Sequence, residues 1–146
     1  MARVVVSLFG PVRVEVDGHP IELGGPRECA VFAALALSPD HTVSTDFLVG
    51  WLWDESPPDT SRKSIQNAVM RLRRALDSVG MRIGRVGDGY RLRADEPWTT
   101  DDRTAGEPLA GLPATVAVLG ARERLAEQSF RYRRHLYRTR RHRVAW

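Results

Sequence analysis

Apolar residues between Asp59 and Leu76 recur at the spacing of one helical face. At about 100° per residue, Ile65, Val69, Leu72 and Leu76 fall on a narrow stripe, while Lys63, Asn67, Met70 and Arg74 fall opposite, flanked by Gln66 and Arg71. Such a helix buries one side in a protein core and offers cations and amides on the other. Towards the N-terminus the period changes to two. Val12, Val14 and Val16 alternate with Arg13, Glu15 and Asp17, the pattern of a half-buried strand. Val4–Phe9 reads as a strand before it, with Gly10-Pro11 as the turn between them. Asp17-Gly18-His19-Pro20 leads to a short strand through Ile21 and Leu23. These segments predict a small antiparallel sheet with one buried face, and His19 as a solvated loop residue.

Pro26 stands at the first position of a helix, where its missing N–H costs nothing, and from Cys29 to Leu37 that helix is apolar on nearly every side, so it is expected to be buried. Ser38-Pro39-Asp40 ends it, and His41-Thr42-Val43 is a brief extended piece. Ser44 can cap a second helix with Asp46 at its positive end and Leu48, Val49 and Leu52 on its inner face. Phe47 and Trp51, four apart with the weak helix former Gly50 between them, share a face. They either cover the sheet or form an exposed aromatic patch. Asp59 or Thr60 is the expected cap of the helix over 60–79, which Ser78-Val79-Gly80 closes. Arg82–Val86 and Tyr90–Arg93 then read as strands joined by Gly87-Asp88-Gly89. Strands, three helices and a basic hairpin directly after a basic helix make an α+β, winged helix-turn-helix layout: the third helix for a major groove, the hairpin as wing.

Charge sharpens this picture. The net charge of the 146 residues is +4, but residues 1–60 carry 3 Arg against 9 acids, residues 61–93 carry 9 Lys/Arg against 2, residues 94–107 carry 1 Arg against 5, and residues 108–146 carry 9 Arg against 2. Positive charge gathers in the amphipathic helix, the hairpin and the tail, as polyanion binding requires. The longest apolar run, Ala30–Leu37, is too short to span a bilayer, and the N-terminus reads as a strand and not a signal peptide. Cys29 is the one cysteine, so no internal disulfide can form, in keeping with a cytoplasmic location.

Several segments resemble one known family. Residues 23–37 (LGGPRECAVFAALAL), 43–58 (VSTDFLVGWLWDESPP), 60–76 (TSRKSIQNAVMRLRRAL) and 89–92 (GYRL) are similar to the N-terminal domain of the Streptomyces antibiotic regulatory protein family, an OmpR-type winged helix. The resemblance is collinear and runs without gaps from Leu23 to Leu76. It implies sequence-specific binding to direct repeats in promoters by protomers in tandem, and recruitment of RNA polymerase. Arg62, Gln66, Arg71, Arg73 and Arg74 match the family's residues. Phe47, Gly50, Trp51 and the hairpin tip Val86-Gly87-Asp88-Gly89 depart from its pattern. Residues 105–113 and 121–138 resemble fragments of the helical activator domain that follows in the family. The expected organisation is therefore a winged helix over 1–94, an acidic linker over 95–113, and a partial activator domain with a basic tail over 114–146. That last part is expected to be marginally ordered unless it dimerises or docks on the winged helix. Its apolar stripe would be Leu119, Leu125, Phe130 and Leu136.

The residues expected at duplex DNA are Arg62, Lys63, Gln66, Asn67, Met70, Arg71 and Arg74 on the helix, with Arg85 and Arg91 on the wing. Asp54, Glu55 and Asp59 form an acidic loop expected to face RNA polymerase. No nucleophile-base pair, phosphate loop, paired-carboxylate cluster or metal motif suggests an enzyme, and no cofactor is implied. His135 and His142, seven apart without a third ligand, do not make a zinc site. Two other functions fit the sequence: a DNA-binding module without activating power, which would compete for sites, and a nonspecific nucleic-acid binder, to which the arginine tail (Arg131 to Trp146) would contribute.

Overall fold

Alternating valines build the first sheet. In the computed structural model, which describes residues 3–95, 97–101 and 106–128, β1 (Val4–Ser7) pairs antiparallel with β2 (Arg13–Val16), Val6 opposite Val14, and β3 (His19–Ile21) adds to β2. Val6 and Val14 are fully buried. His19 is the exposed first residue of β3 and not a loop residue. A strand late in the chain, β7 (Thr99–Asp101), pairs parallel with β1, giving the order β3-β2-β1-β7. The sheet is thus mixed, where an antiparallel one was expected.

Three helices follow the first sheet. In α1 (Pro26–Ala36) every residue from Ala30 to Ala36 is buried. The Ser44 hydroxyl accepts the Phe47 N–H at 3.0 Å and so caps α2 (Thr45–Trp53). In α3 (Ser61–Leu76) the stripe Ile65, Val69, Leu72 and Leu76 is buried together with Ala68, against α1 and α2. Thr60 occupies the cap position of α3 without making a side-chain cap. A 3-10 turn (Asp77–Val79) and Gly80, at φ 71°, turn the chain into β5 (Met81–Val86). β5 and β6 (Gly89–Ala94) form the hairpin, and β4 (Val43–Ser44) completes a second sheet of order β4-β6-β5. Only glycine suits position 89, because a Cβ there would lie 2.6 Å from the Val43 carbonyl oxygen across the β4–β6 pair.

The stretch expected as a linker is built into this fold. Besides β7, Phe9 and Pro11 form bridges to Pro108 and Ala110, the Leu109 N–H donates to the Leu8 carbonyl at 2.7 Å, and Leu109 and Leu112 are buried. A fourth helix, α4, is described over 116–128. It is docked on the winged helix through Val118 and Ala121, both buried, with Leu125 packed beside them; Leu119, on the expected stripe, is instead 45% exposed. Three bonds hold the start of α4. The Val116 N–H donates to Asp54 Oδ1 (2.8 Å), the Thr115 hydroxyl accepts the Val118 N–H (3.2 Å), and that hydroxyl donates to the Trp51 carbonyl (2.8 Å). The arginine tail, Phe130, His135, Leu136 and His142 lie outside the described residues.

Trp51 forms part of the surface that receives α4. It is 1% exposed, its indole N–H donates to the Ala30 carbonyl at 2.8 Å, and Phe47 stacks on it with centroids 5.8 Å apart. The pair therefore does not cover the sheet as first expected. Trp51 sits in the helical layer, and Phe47 stays half exposed at the edge of a cleft between α1, α2 and α4.

Candidate nucleic-acid interface

The face of α3 opposite its buried stripe is open. Lys63, Gln66, Met70 and Arg74 are exposed and Asn67 is half-buried. Met70, 50% exposed, is the apolar member of this otherwise polar row. Their placement follows from the periodicity alone, since burying Ile65, Val69 and Leu72 obliges these positions to face outwards.

The arginines near this face divide into two groups. Arg62 is held within the protein: its guanidinium sits 2.6 Å from Asp46 Oδ1 at the start of α2 and 3.2 Å from Asp88 Oδ1 at the hairpin tip. The Asp88 carbonyl in turn accepts both the Thr45 N–H and the Thr45 hydroxyl at 2.9 Å. The tip is thus tied to the beginnings of α2 and α3, and Arg62 is not a free cation. Arg71 Nη1 donates to Glu28 Oε1 at 2.9 Å. Arg73 Nε donates to the Ile83 carbonyl at 2.9 Å and joins α3 to the wing. Among the described residues, Lys63 and Arg74 remain on α3 without an ion-pair partner.

The hairpin register separates the two wing arginines that were expected to act together. Arg85 lies opposite Tyr90, on the face that carries Ile83 and Leu92, and its guanidinium sits 5.8 Å from the Tyr90 ring. Arg91 lies opposite Gly84 on the other face, with the cross-strand pair Arg82 and Arg93. In the acidic loop, Glu55 and Asp59 are exposed, whereas the Asp54 carboxylate is engaged at the start of α4, where a negative charge suits the helix dipole.

Glu28 was not expected to take part. Its side chain is 6% exposed, on the same face of α1 as Phe32 and Leu35. An acid on a buried stripe was the available signal. Burial raises its pKa, but the hydrogen bond from Arg71, its own backbone N–H and the charges of Arg71 and Arg27 outweigh burial and hold it below the ordinary value.

Residues 18–92 match the family described as "Transcriptional regulatory protein, C terminal". The chain belongs to this family. Within it, the chain is similar to the transcriptional regulatory protein EmbR of Mycobacterium tuberculosis, at 33% identity over 119 residues, covering 79% of this chain and 31% of that protein. It is also similar to the regulatory protein AfsR of Streptomyces coelicolor, at 35% identity over 87 residues, covering 60% of this chain and 9% of that one. These similarities agree with the resemblance to the Streptomyces antibiotic regulatory protein type. The chain spans about a third of the length of EmbR. A solved structure of Mycobacterium tuberculosis EmbR, in complex with a low-affinity phosphopeptide, superimposes with a TM-score of 0.73 at 24% identity, over 89% of this chain and 43% of that one, and shares the fold. The family match spans α1, α2, α3 and the hairpin to Leu92, and not α4. No helix among the described residues is long and apolar enough to cross a membrane.

Proposed function

We propose that the chain binds duplex DNA sequence-specifically as a transcription regulator, laying α3 in a major groove with the β5–β6 hairpin as wing. The observation that carries this reading is the open row on α3. It brings together amides, an apolar tip and cations on a rigid helix whose other face is fully buried. Gln66 and Asn67 suit adenine, Met70 suits a thymine methyl group, and Lys63 and Arg74 suit phosphates or guanine. Arg85 is the wing cation on the α3 side. Arg62 acts as a spacer that fixes the hairpin tip against α3, and Arg91 stands on the far face of the wing. Binding to direct repeats by protomers in tandem is part of the proposal, as is a contact of Glu55 and Asp59 with RNA polymerase.

The test is selection of duplexes from a random-sequence pool, followed by gel shifts on the selected site and on single base-pair changes. Gln66→Ala is expected to relax preference at one or two positions, and Arg74→Ala to weaken binding to all sequences alike. Equal binding of the native protein to every duplex would reject specific readout.

A further inference from the structure

We propose that Glu28 is a positioning residue that aims Arg71 at a guanine edge, so that this pair, formed between α1 and α3, sets sequence preference and not overall affinity. The inference rests on the DNA-binding reading above. The two side chains differ sharply in exposure: Glu28 is 6% exposed and Arg71 is 68% exposed, with Nη1 and Oε1 2.9 Å apart. The acid is fixed from behind. Gly24, at φ 120°, folds the backbone so closely against it that a Cβ there would lie 3.0 Å from Glu28 Cγ. Among the described residues, Nη2 and Nε of Arg71 have no protein partner. Arg71 lies one turn beyond Asn67, beside the open row of α3.

The charges decide what this arrangement can do. A carboxylate beside a cation weakens its pull on a phosphate, which needs a positive charge but little orientation. For phosphate binding, then, Glu28 is a handicap. A guanine edge makes the opposite demand, because O6 and N7 accept two N–H groups held in a fixed fork. Tethering one nitrogen to a buried carboxylate restricts the rotamers of the side chain before DNA arrives, so less entropy is lost on binding.

The experiment uses the full chain and duplexes selected from a random pool by the native protein. Dissociation constants are measured by fluorescence anisotropy on the selected duplex, on each single base-pair change, and on a scrambled duplex, for the native protein, Glu28→Gln, Arg71→Lys and the double variant. The expected result is that Glu28→Gln lowers discrimination at one G·C pair by roughly tenfold, the scale of a bidentate contact, while binding to the scrambled duplex is unchanged or tighter, because a negative charge is gone. Arg71→Lys loses discrimination at that same pair, and the double variant loses no more than either single one. A merely structural role would lower the melting temperature of Glu28→Gln and leave its discrimination ratios intact, which would overturn the inference. Weaker binding to all duplexes alike would also overturn it, by making Arg71 a phosphate contact. Arg71 is exposed, so Arg71→Lys decides the matter even if Glu28→Gln folds poorly: preference unchanged at every pair sinks the inference. If the native protein discriminates among no duplexes, the DNA-binding reading itself fails, and this inference with it.

Discussion

Replacing Leu109 by alanine tests whether the segment after the hairpin belongs to the core of the winged helix. Leu109 is fully buried and its backbone is held at φ 54°, a left-handed conformation that a leucine keeps only where its surroundings over-determine it. Its N–H bonds to the Leu8 carbonyl, and two carbonyls of its loop, those of Leu109 and Leu112, accept from Arg122 Nη2 on α4 at 3.1 Å. With the backbone so tied, the site cannot collapse around a missing side chain. Leu109→Ala therefore costs the transfer of the lost atoms plus a cavity, about 2–5 kcal/mol. That is a large part of the about 5–15 kcal/mol that stabilises a typical domain. At about 2–4 °C per kcal/mol for a chain of this size, a loss near 3 kcal/mol lowers Tm by roughly 6–12 °C. The control is Leu119→Ala on α4, the same chemical change at a side chain 45% exposed, which is expected to stay within about 0.5 kcal/mol of the native protein. Far-UV circular dichroism melts and urea titrations read both variants, Leu109→Ala moving the midpoint without changing the slope. If the two variants shift equally and by less than roughly 2 °C on that scale, the segment is no part of the core and the reasoning is wrong.

Trp51→Phe leaves the buried Ala30 carbonyl without its indole donor and is expected to lose at least about 1–3 kcal/mol in urea unfolding; an unchanged midpoint would mean that the bond contributes nothing. Glu28 titrates below 4.5 in the folded chain, so the unfolded chain takes up the proton first as pH falls. Its stabilisation is complete above the unfolded value of 4.5 and is lost as pH drops through the folded value. The stability gap between the native protein and Glu28→Gln should therefore narrow in acid, and a gap constant from pH 7 down to pH 3 (about four decades of proton activity) would refute the pairing. On the wing, Arg85→Ala is expected to reduce the slope of log K against log salt by about 1 and Arg91→Ala to leave it unchanged; equal effects would show that the hairpin face does not decide the contact.

The fold was legible where one periodicity ran long enough to exclude the alternatives. The α3 stripe, the buried run of α1 and the valine alternation of β2 each left one arrangement that buries their apolar side. The C-terminal segment was misread for the converse reason. Acidic and proline-rich stretches resemble linkers, and the few apolar residues that tie this one down, Trp98, Leu109 and Leu112, are spaced by no secondary-structure period. β7 could not be seen at all, because a three-residue strand exists only by virtue of its partner β1. At the site, the exposure of Lys63, Gln66, Met70 and Arg74 followed from helix geometry. What escaped was pairing between elements. Glu28 with Arg71, and Arg62 with Asp46 and Asp88, join residues 16 to 43 positions apart, and nothing local in the sequence encodes such a meeting.

Those pairings change what the charge count means. Residues 61–93 carry nine cations, which taken alone suggest a strong and indiscriminate grip on any nucleic acid. The structure commits Arg62, Arg71 and Arg73 to the chain's own carboxylates and carbonyl. Lys63 and Arg74 stay open on α3, and Arg85 stands on the wing. Counterion release scales with the phosphates neutralised, so tying three of the nine cations within the chain makes one copy's hold on random sequence weaker and shallower in salt than the count suggests. In the proposed reading, preference comes from directional contacts on the α3 row. Tying the arginines in this way supports the proposal of protomers in tandem on repeated sites, because each added copy brings its own open row on α3.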